Sequence, residues 1–138
     1  MADTTVTITG NLTDDPELRV TQAGAAVATF RVAVTPRKPD GQGGWTDGET
    51  SFFKVVAWRQ LVEHVAESLG KGDRVIVTGT LRTNAWETPE GEKRSVIEVQ
   101  ADEVGPSLRW ATAKPEKASR TGGQPSGRGG DFNDPAPF

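Results

Sequence analysis

The stretch Ser51-Phe52-Phe53-Lys54-Val55-Val56-Ala57-Trp58 predicts a β-strand with two unlike faces. Successive side chains of a strand point to opposite sides, so every second residue from Phe52 to Trp58 lies on one face. That face carries two large aromatic rings on either side of Lys54 and Val56. Beyond Ser51 the opposite face is apolar, with Phe53, Val55 and Ala57. We interpret Phe53 as a core residue or a subunit contact. The aromatic face is therefore a candidate binding surface.

The residues that follow this strand predict a helix and a return to the sheet. Apolar residues recur at helical spacing over Arg59–Leu69, and Gly70 stands where a C-cap glycine is expected. Arg74–Asn84 then reads as another strand. Gly79 inside it indicates a bulge or a tight bend.

Three more strands complete the predicted fold. Thr88–Gly91 has the composition of a hairpin turn and leads into a strand over Arg94–Val104. Upstream, strands are predicted over Thr5–Thr9 and Ala25–Thr35, and the glycine-rich Pro36–Thr50 reads as a long mobile loop. Five strands with one helix between the third and fourth is the order of the OB-fold, an all-β Greek-key barrel that binds oligonucleotides or oligosaccharides.

Length and composition fit one domain followed by a tail. The chain has 138 residues, no cysteine and a net charge of −3, with 12 basic and 16 acidic residues in positions 1–110. A simple basic nucleic-acid binder is not indicated, so any polyanion site must be a local stripe. No apolar segment of membrane-spanning length or secretion signal is present in the sequence, and we expect a cytoplasmic protein with no membrane partner.

The sequence offers little to catalysis or metal binding. His64, the only histidine, lies within the predicted helix without the pattern of an acid–base triad. Gly70-Lys71-Gly72 lacks the full spacing of a phosphate-binding loop and reads as a helix-to-strand turn. Carboxylates are scattered and show no metal-ligand spacing. We predict a protein that is not an enzyme and that uses neither a metal nor a cofactor.

A second strand repeats the pairing of cations with aromatic rings. Arg82, Asn84 and Trp86 share one side of the strand that begins at Arg74. Aromatic side chains that alternate with cations suit single-stranded nucleic acid, because each base can stack on a ring while its phosphate meets a positive charge. The competing interpretation is that these rings, with Phe52 and Trp58, belong to the core. Trp45, in the loop, is either a further stacking ring or a loop anchor.

Four motifs together make the chain resemble the bacterial single-stranded DNA-binding protein family. They are Gly10–Arg19 (GNLTDDPELR), Thr50–Trp58 (TSFFKVVAW), Leu69–Val75 (LGKGDRV) and Gly79–Trp86 (GTLRTNAW). The resemblance covers residues 1–110 and returns at the last few residues.

This resemblance implies a homotetramer of OB-folds that wraps single-stranded DNA without sequence preference and acts in replication, recombination and repair in association with the nucleoid. Its stacking aromatics fall on Phe52, Trp58 and Trp86. The family tryptophan at the end of the second strand has no aromatic counterpart here, and Trp45 is a candidate replacement. The cations expected to track the phosphates are Arg31, Lys54, Arg82, Arg37 and Lys38.

The C-terminal part is expected to contain three pieces. Asp102–Thr112 resembles the actinobacterial branch, in which an extra strand clasps neighbouring subunits, and this assigns Leu108 and Trp110 to a subunit contact. The OB domain would then span 1–112, with a disordered Gly/Pro/Ser-rich linker over 113–130. The family's acidic tip, which docks replication and repair proteins, corresponds to 131–138, with the key positions Asp131, Asp134, Pro135, Pro137 and Phe138.

Two functions from different classes remain open at this point. The first is sequence-neutral binding of single-stranded DNA together with partner recruitment through the tip. The second is an OB-fold adaptor that acts mainly in protein recruitment and binds DNA weakly, which the net negative charge of the domain favours.

Overall fold

The computed structural model describes residues 3–118, which form eight strands and one helix. Five long strands correspond to the five predicted ones, although their ends differ. Three short strands, β2, β4 and β5, were not predicted. The elements in chain order are β1 (Thr5–Leu12), β2 (Glu17–Val20), β3 (Ala26–Val34), β4 (Arg37–Pro39), β5 (Trp45–Asp47), β6 (Ser51–Trp58), α1 (Gln60–Ser68), β7 (Arg74–Glu87) and β8 (Lys93–Pro106).

The long strands close into the predicted OB-fold barrel. The sheet runs in the order β1-β7-β8-β6-β3, and a short pairing of β1 with β3 through Asn11 and Leu12 closes the ring. All neighbours are antiparallel except β6 and β8, which pair in parallel. β2 adds to the open edge of β3. The prediction of an all-β OB-fold is confirmed.

The barrel interior is filled by the inward side chains of alternating strand positions. The centre contains Val32 of β3, Val55 of β6, Val75 and Val77 of β7 and Val99 of β8, each 0–1% exposed, and Phe30 and Ile8 complete it. The helix α1 covers one end of this core with Val62 and Val65, and Leu69 follows directly after it. Full burial of a valine-sized side chain contributes about 1.5–3 kcal/mol, so this interior is the main source of stability.

The turn after α1 differs from the predicted helix end. Leu69 is extended, and Gly70 does not have the left-handed backbone of a C-cap glycine. The left-handed residue is Gly72, with φ of 89°, two residues before β7 begins at Arg74. The prediction of Gly70 as the capping glycine is therefore wrong.

The predicted bulge at Gly79 is confirmed by the strand register. The pairing of β7 with β8 shifts between Thr78 and Gly79. An added Cβ at Gly79 would overlap the backbone carbonyl of Gln100 on β8. The extra residue of the bulge is Asp102 on β8, which has no direct partner on β7. Only glycine allows the two strands to approach so closely, which explains why the register shift occurs at this residue.

The segment predicted as a long loop, Pro36–Thr50, contains a small hairpin instead. β4 and β5 pair in antiparallel through Arg37–Asp47 and Pro39–Trp45, and form a separate two-stranded sheet. Proline and glycine are depleted in strands, which is why composition favoured a loop.

The hairpin of β7 and β8 is longer than predicted. β7 ends at Glu87, three residues after its predicted end, and β8 begins at Lys93, one residue before its predicted start.

The chain after β8 contains no strand within residues 107–118. β8 ends at Pro106, and the Ser107 amide donates a hydrogen bond of 2.8 Å to the Arg74 carbonyl. Further on, the Arg74 guanidinium lies over the Trp110 ring, 4.7 Å from the ring centroid. An extension strand at Leu108 and Trp110 is thus not formed within the single chain, and a strand formed with a neighbouring subunit stays a prediction. Most of the predicted linker and the whole tip, 131–138, lie outside the described residues.

Candidate nucleic-acid interface

The outward surface of β3, β6, β8 and β7 brings most of the predicted binding residues together, and we call it the groove face. One row of directly paired residues crosses all four strands: Arg31 opposite Lys54, Lys54 opposite Glu98, and Glu98 opposite Arg82. In the two antiparallel pairs of this row, directly opposite side chains lie about 4.5–5.5 Å apart at Cβ. The register therefore places three predicted cations in one line.

The three predicted stacking rings are exposed and do not belong to the core. Phe52 is 54% exposed, Trp86 48% and Trp58 38%, although each is a large apolar side chain. Phe52 and Trp58 stand at the two ends of the outward side of β6, and Trp86 lies on the outward side of β7, four positions beyond Arg82. On the other side of β6, Val55 and Ala57 are fully buried, as the alternation predicts, whereas Val56 departs from it because it lies on the outward side and is only 5% exposed.

Two shallow grooves run over the groove face. The first, of about 420 Å³, lies beside Trp58, Lys54 and Arg82, and the second, of about 470 Å³, lies beside Phe52, Arg31 and Lys54. Sequence reasoning did not assign several of the side chains that line them. Among these are Arg19, Thr29, Val96, Ile97, Glu98 and Gln100, and the carboxylates of Asp14, Asp15 and Glu17 beside the second groove. Arg19 comes from β2, an edge strand that was not predicted, and its position between the two grooves adds another cation.

Glu98 is the most consequential residue that the sequence did not reveal. The residue is 6% exposed and lies in the middle of the cationic row. Oε2 of Glu98 lies 3.0 Å from Nζ of Lys54 and accepts a hydrogen bond of 3.1 Å from Nδ2 of Asn84. The charge of Lys54, predicted to meet phosphate, is thus already paired within the protein.

Arg31 is arranged differently from Lys54. Its guanidinium lies 4.8 Å from the centroid of the Phe52 ring, within the range of a cation–π contact. Within residues 3–118 neither Arg31 nor Arg82 forms an ion pair. Both guanidinium groups therefore remain open to an anion, and Arg31 holds its charge directly beside an exposed ring.

Comparison with known proteins identifies a matching family. The family model described as the single-strand binding protein family matches residues 3–107, which include the whole barrel and the groove face. The chain belongs to this family.

Relatives within the single-strand binding protein family include actinobacterial proteins, as the resemblance of Asp102–Thr112 predicted. A protein of Mycobacterium tuberculosis named single-stranded DNA-binding protein is 63% identical over 91% of this chain and 77% of its own length. A protein of the same name from Paenarthrobacter aurescens is 55% identical over 94% of this chain and 77% of its own length. The crystal structure of a small single-stranded DNA-binding protein from Streptomyces coelicolor superposes with a TM-score of 0.66, at 36% identity over 78% of this chain and 97% of that one.

The remaining predicted residues lie on the β4–β5 hairpin and line neither groove. Arg37 and Asp47 face each other across the hairpin with 3.7 Å between Nε and Oδ1, and both are well exposed. Lys38 is also exposed, and Trp45 is 63% exposed. The carboxylate of Asp40 accepts hydrogen bonds from the Gln42 and Gly44 amides at 2.7 and 3.0 Å, which lowers the pKa of Asp40 below its usual 3.8.

The residues considered for catalysis or phosphate binding have structural explanations. The Gly70 amide donates to Asp73 and the Lys71 amide to Asp15, both at 2.8 Å, so this turn has no free amide cradle for a phosphate. His64 is exposed on α1. Within residues 3–118 there is no group of three or more potential metal ligands, and no helix is long and apolar enough to cross a membrane.

Proposed function

We propose that this protein binds single-stranded DNA without base preference along the groove face. One observation carries the proposal: three exposed aromatic rings share an outward sheet surface with the unpaired guanidinium groups of Arg31 and Arg82. Each base presents a π-face, so stacking on Phe52, Trp58 and Trp86 would be indifferent to sequence. The names of the Mycobacterium tuberculosis and Streptomyces coelicolor relatives support this substrate class.

The open shape of the groove face favours a flexible strand over a duplex. Both grooves are open to solvent, and Trp58 lines the first while Phe52 lines the second. Bases of a single strand are free to leave each other and stack on protein rings, whereas those of a duplex are already stacked and paired. The groove face offers no row of cations long enough to follow two phosphate backbones, because Glu98 interrupts the row.

Local charge, and not the net charge of −3, would attract the DNA backbone. Arg31, Arg82 and Arg19 lie on or beside the two grooves, and exposed charges further than about 8 Å away are screened at physiological salt. Each phosphate neutralised on a single strand contributes about 0.7 to the slope of log affinity against log salt. Binding should therefore weaken as salt rises, although the protein is acidic overall.

Titration of the intrinsic tryptophan fluorescence with poly(dT) tests the proposal. We expect strong quenching, because Trp58 and Trp86 would stack on bases, and a loss of binding as salt is raised. Poly(dA) and poly(dC) should compete with poly(dT), and duplex DNA of the same length should not. Absence of any response to poly(dT), together with retained binding of partner proteins, would contradict the proposal and favour the OB-fold adaptor.

We also propose how this binding would be used. The protein would act without catalysis, as a homotetramer in the cytoplasm, and would protect DNA strands during replication, recombination and repair. Partner proteins would be recruited through the tip, 131–138, whose Phe138 ring would enter an apolar pocket while Asp131 and Asp134 are attracted to basic residues around it. Deletion of 131–138 should abolish partner capture while DNA affinity is unchanged or slightly higher. Retention of every partner by the truncated protein would rule out the tip.

A further inference from the structure

The buried carboxylate of Glu98 is a feature that DNA binding by itself does not explain. A surface built to attract phosphates gains nothing from a negative charge at its centre. Glu98 nevertheless lies in the cationic row, between Lys54 on β6 and Arg82 on β7, and is 6% exposed. A carboxylate is almost never buried to this extent unless it is paired, and here Lys54 provides the pairing charge.

The geometry ties two groove side chains to one oxygen atom. Nζ of Lys54 lies 3.0 Å and Nδ2 of Asn84 lies 3.1 Å from Oε2 of Glu98. Because an ionised carboxylate only accepts hydrogen bonds, Asn84 must present its NH₂ group and not its carbonyl oxygen to Glu98. The orientation of both side chains is thereby fixed by Glu98.

We propose that Glu98 is a positioning residue that withholds Lys54 from the DNA backbone. The inference rests on the proposed function and specifies which cations of the groove face count in it. Drawing Lys54 away to a phosphate would leave the Glu98 carboxylate buried and uncompensated, which is strongly unfavourable. Lys54 is the half of the pair that reaches the surface, with 32% of its side chain exposed against 8% for Glu98. The centre of the groove face is electrically neutral as a result, and the phosphates are held at Arg31 and Arg82 on either side of it.

This arrangement limits how tightly and how salt-sensitively the strand is held. Every cation that neutralises a phosphate adds counterion release to the affinity. Because Glu98 neutralises Lys54, binding at the centre of the groove face depends on base stacking, which is independent of sequence. Asn84, held on Glu98 through its amide nitrogen, is likewise less free to read base edges.

The substitution Glu98→Gln in the full-length chain tests the proposal. Glutamine keeps the size and an acceptor oxygen but removes the charge, so Lys54 becomes available to a phosphate. We expect the slope of log affinity for oligo(dT) against log salt to steepen by about 0.7. Over a tenfold rise in salt, the advantage of the variant over the wild type should then shrink by about fivefold. At low salt the variant should bind more tightly than the wild type.

The matched control is Glu103→Gln, which removes the same charge from the same strand. Glu103 is exposed on β8 and lines neither groove, so its slope should equal that of the wild type. A purely structural role of Glu98 would instead lower the melting temperature and the affinity of Glu98→Gln without steepening the slope, and that result would overturn the proposal.

A double variant keeps the test valid if Glu98→Gln fails to fold. Glu98→Gln combined with Lys54→Gln replaces the ion pair with two amides and leaves no buried charge. If Lys54 is withheld in the wild type, removing both charges leaves the slope unchanged. If Lys54 contacts a phosphate in the wild type, the slope flattens by about 0.7 and the proposal is wrong. If the wild type does not bind oligo(dT), the proposed function is wrong. If the wild type binds, but Glu98→Gln and the double variant both have its slope of log affinity against log salt, only the role of Glu98 is wrong.

Discussion

At the level of single residues, the rings of the groove face are the sharpest targets. Trp58 and Trp86 are 38% and 48% exposed, and no cation–π partner within residues 3–118 covers either ring. Trp58→Ala and Trp86→Ala should each weaken the binding of oligo(dT) by about 1–3 kcal/mol, the loss of one stacked base. Equilibrium titration at a fixed salt concentration measures the effect.

Leu18→Ala is the matched control for these two variants. Leu18 is 52% exposed on β2 and lines neither groove. Its substitution therefore removes exposed apolar surface but leaves every aromatic ring of the groove face in place. Its affinity should equal that of the wild type. If both tryptophan variants fold normally and also bind like the wild type, the stacking surface is misplaced.

The identity of these rings could be read from the sequence, whereas the partner of Lys54 could not. Period-two alternation is local, and it correctly separated exposed Phe52 from buried Val55. The contact between Lys54 and Glu98 depends on the parallel register of β6 and β8, which are separated by a helix and a strand along the chain. Alternation assigns Glu98 to a face but not to a neighbour, and acidic strand residues usually face water.

At the level of elements, the close pairing of β7 with β8 at the register shift depends on Gly79. A methyl group there would overlap the Gln100 carbonyl, which is backbone and cannot move aside as a flexible side chain would. Gly79→Ala should lower the free energy of unfolding by about 1–3 kcal/mol or more. Urea denaturation followed by circular dichroism measures the change.

Gly105→Ala provides the comparison on the other strand of the pair. Gly105 lies on β8 opposite Ile76, and nothing lies within 4 Å of an added Cβ. Its stability should stay within about 0.5 kcal/mol of the wild type. Equal effects of the two substitutions would mean that the close approach at the bulge does not limit stability.

The elements that were missed share a physical reason. β2 and the two strands of the hairpin are three or four residues long and exposed throughout, so no alternation of buried and exposed positions marks them. They form because β3 offers an open edge to Glu17–Val20 and because Asp40 holds the turn between β4 and β5 through two backbone amides. Such stabilisation comes from tertiary pairing and turn geometry, which a local hydrophobic pattern does not report.

At the level of the whole molecule, the surface beyond β8 bears on assembly. Leu108 and Trp110 are 63% and 73% exposed. The Arg74 and Arg109 guanidinium groups both lie over the Trp110 ring, 4.7 and 5.3 Å from its centroid. Large apolar side chains that remain this exposed beside a completed barrel are typical of a surface that another protein chain covers. This agrees with the proposed subunit contact.

The combined substitution Leu108→Ala and Trp110→Ala should therefore loosen the proposed homotetramer and leave the barrel folded. Both side chains lie outside the core, and β8 keeps its pairing with β7 as far as Pro106, so these substitutions spare the intrachain sheet. A tryptophan anchor in an interface is worth about 2 kcal/mol or more, so smaller species should appear at micromolar concentration in sedimentation velocity. Leu18→Ala, which removes an apolar side chain of comparable exposure from β2, should sediment like the wild type. A wild-type protein that sediments as a monomer at that concentration would contradict the assembly, and Trp110 would then serve only to cover Arg74.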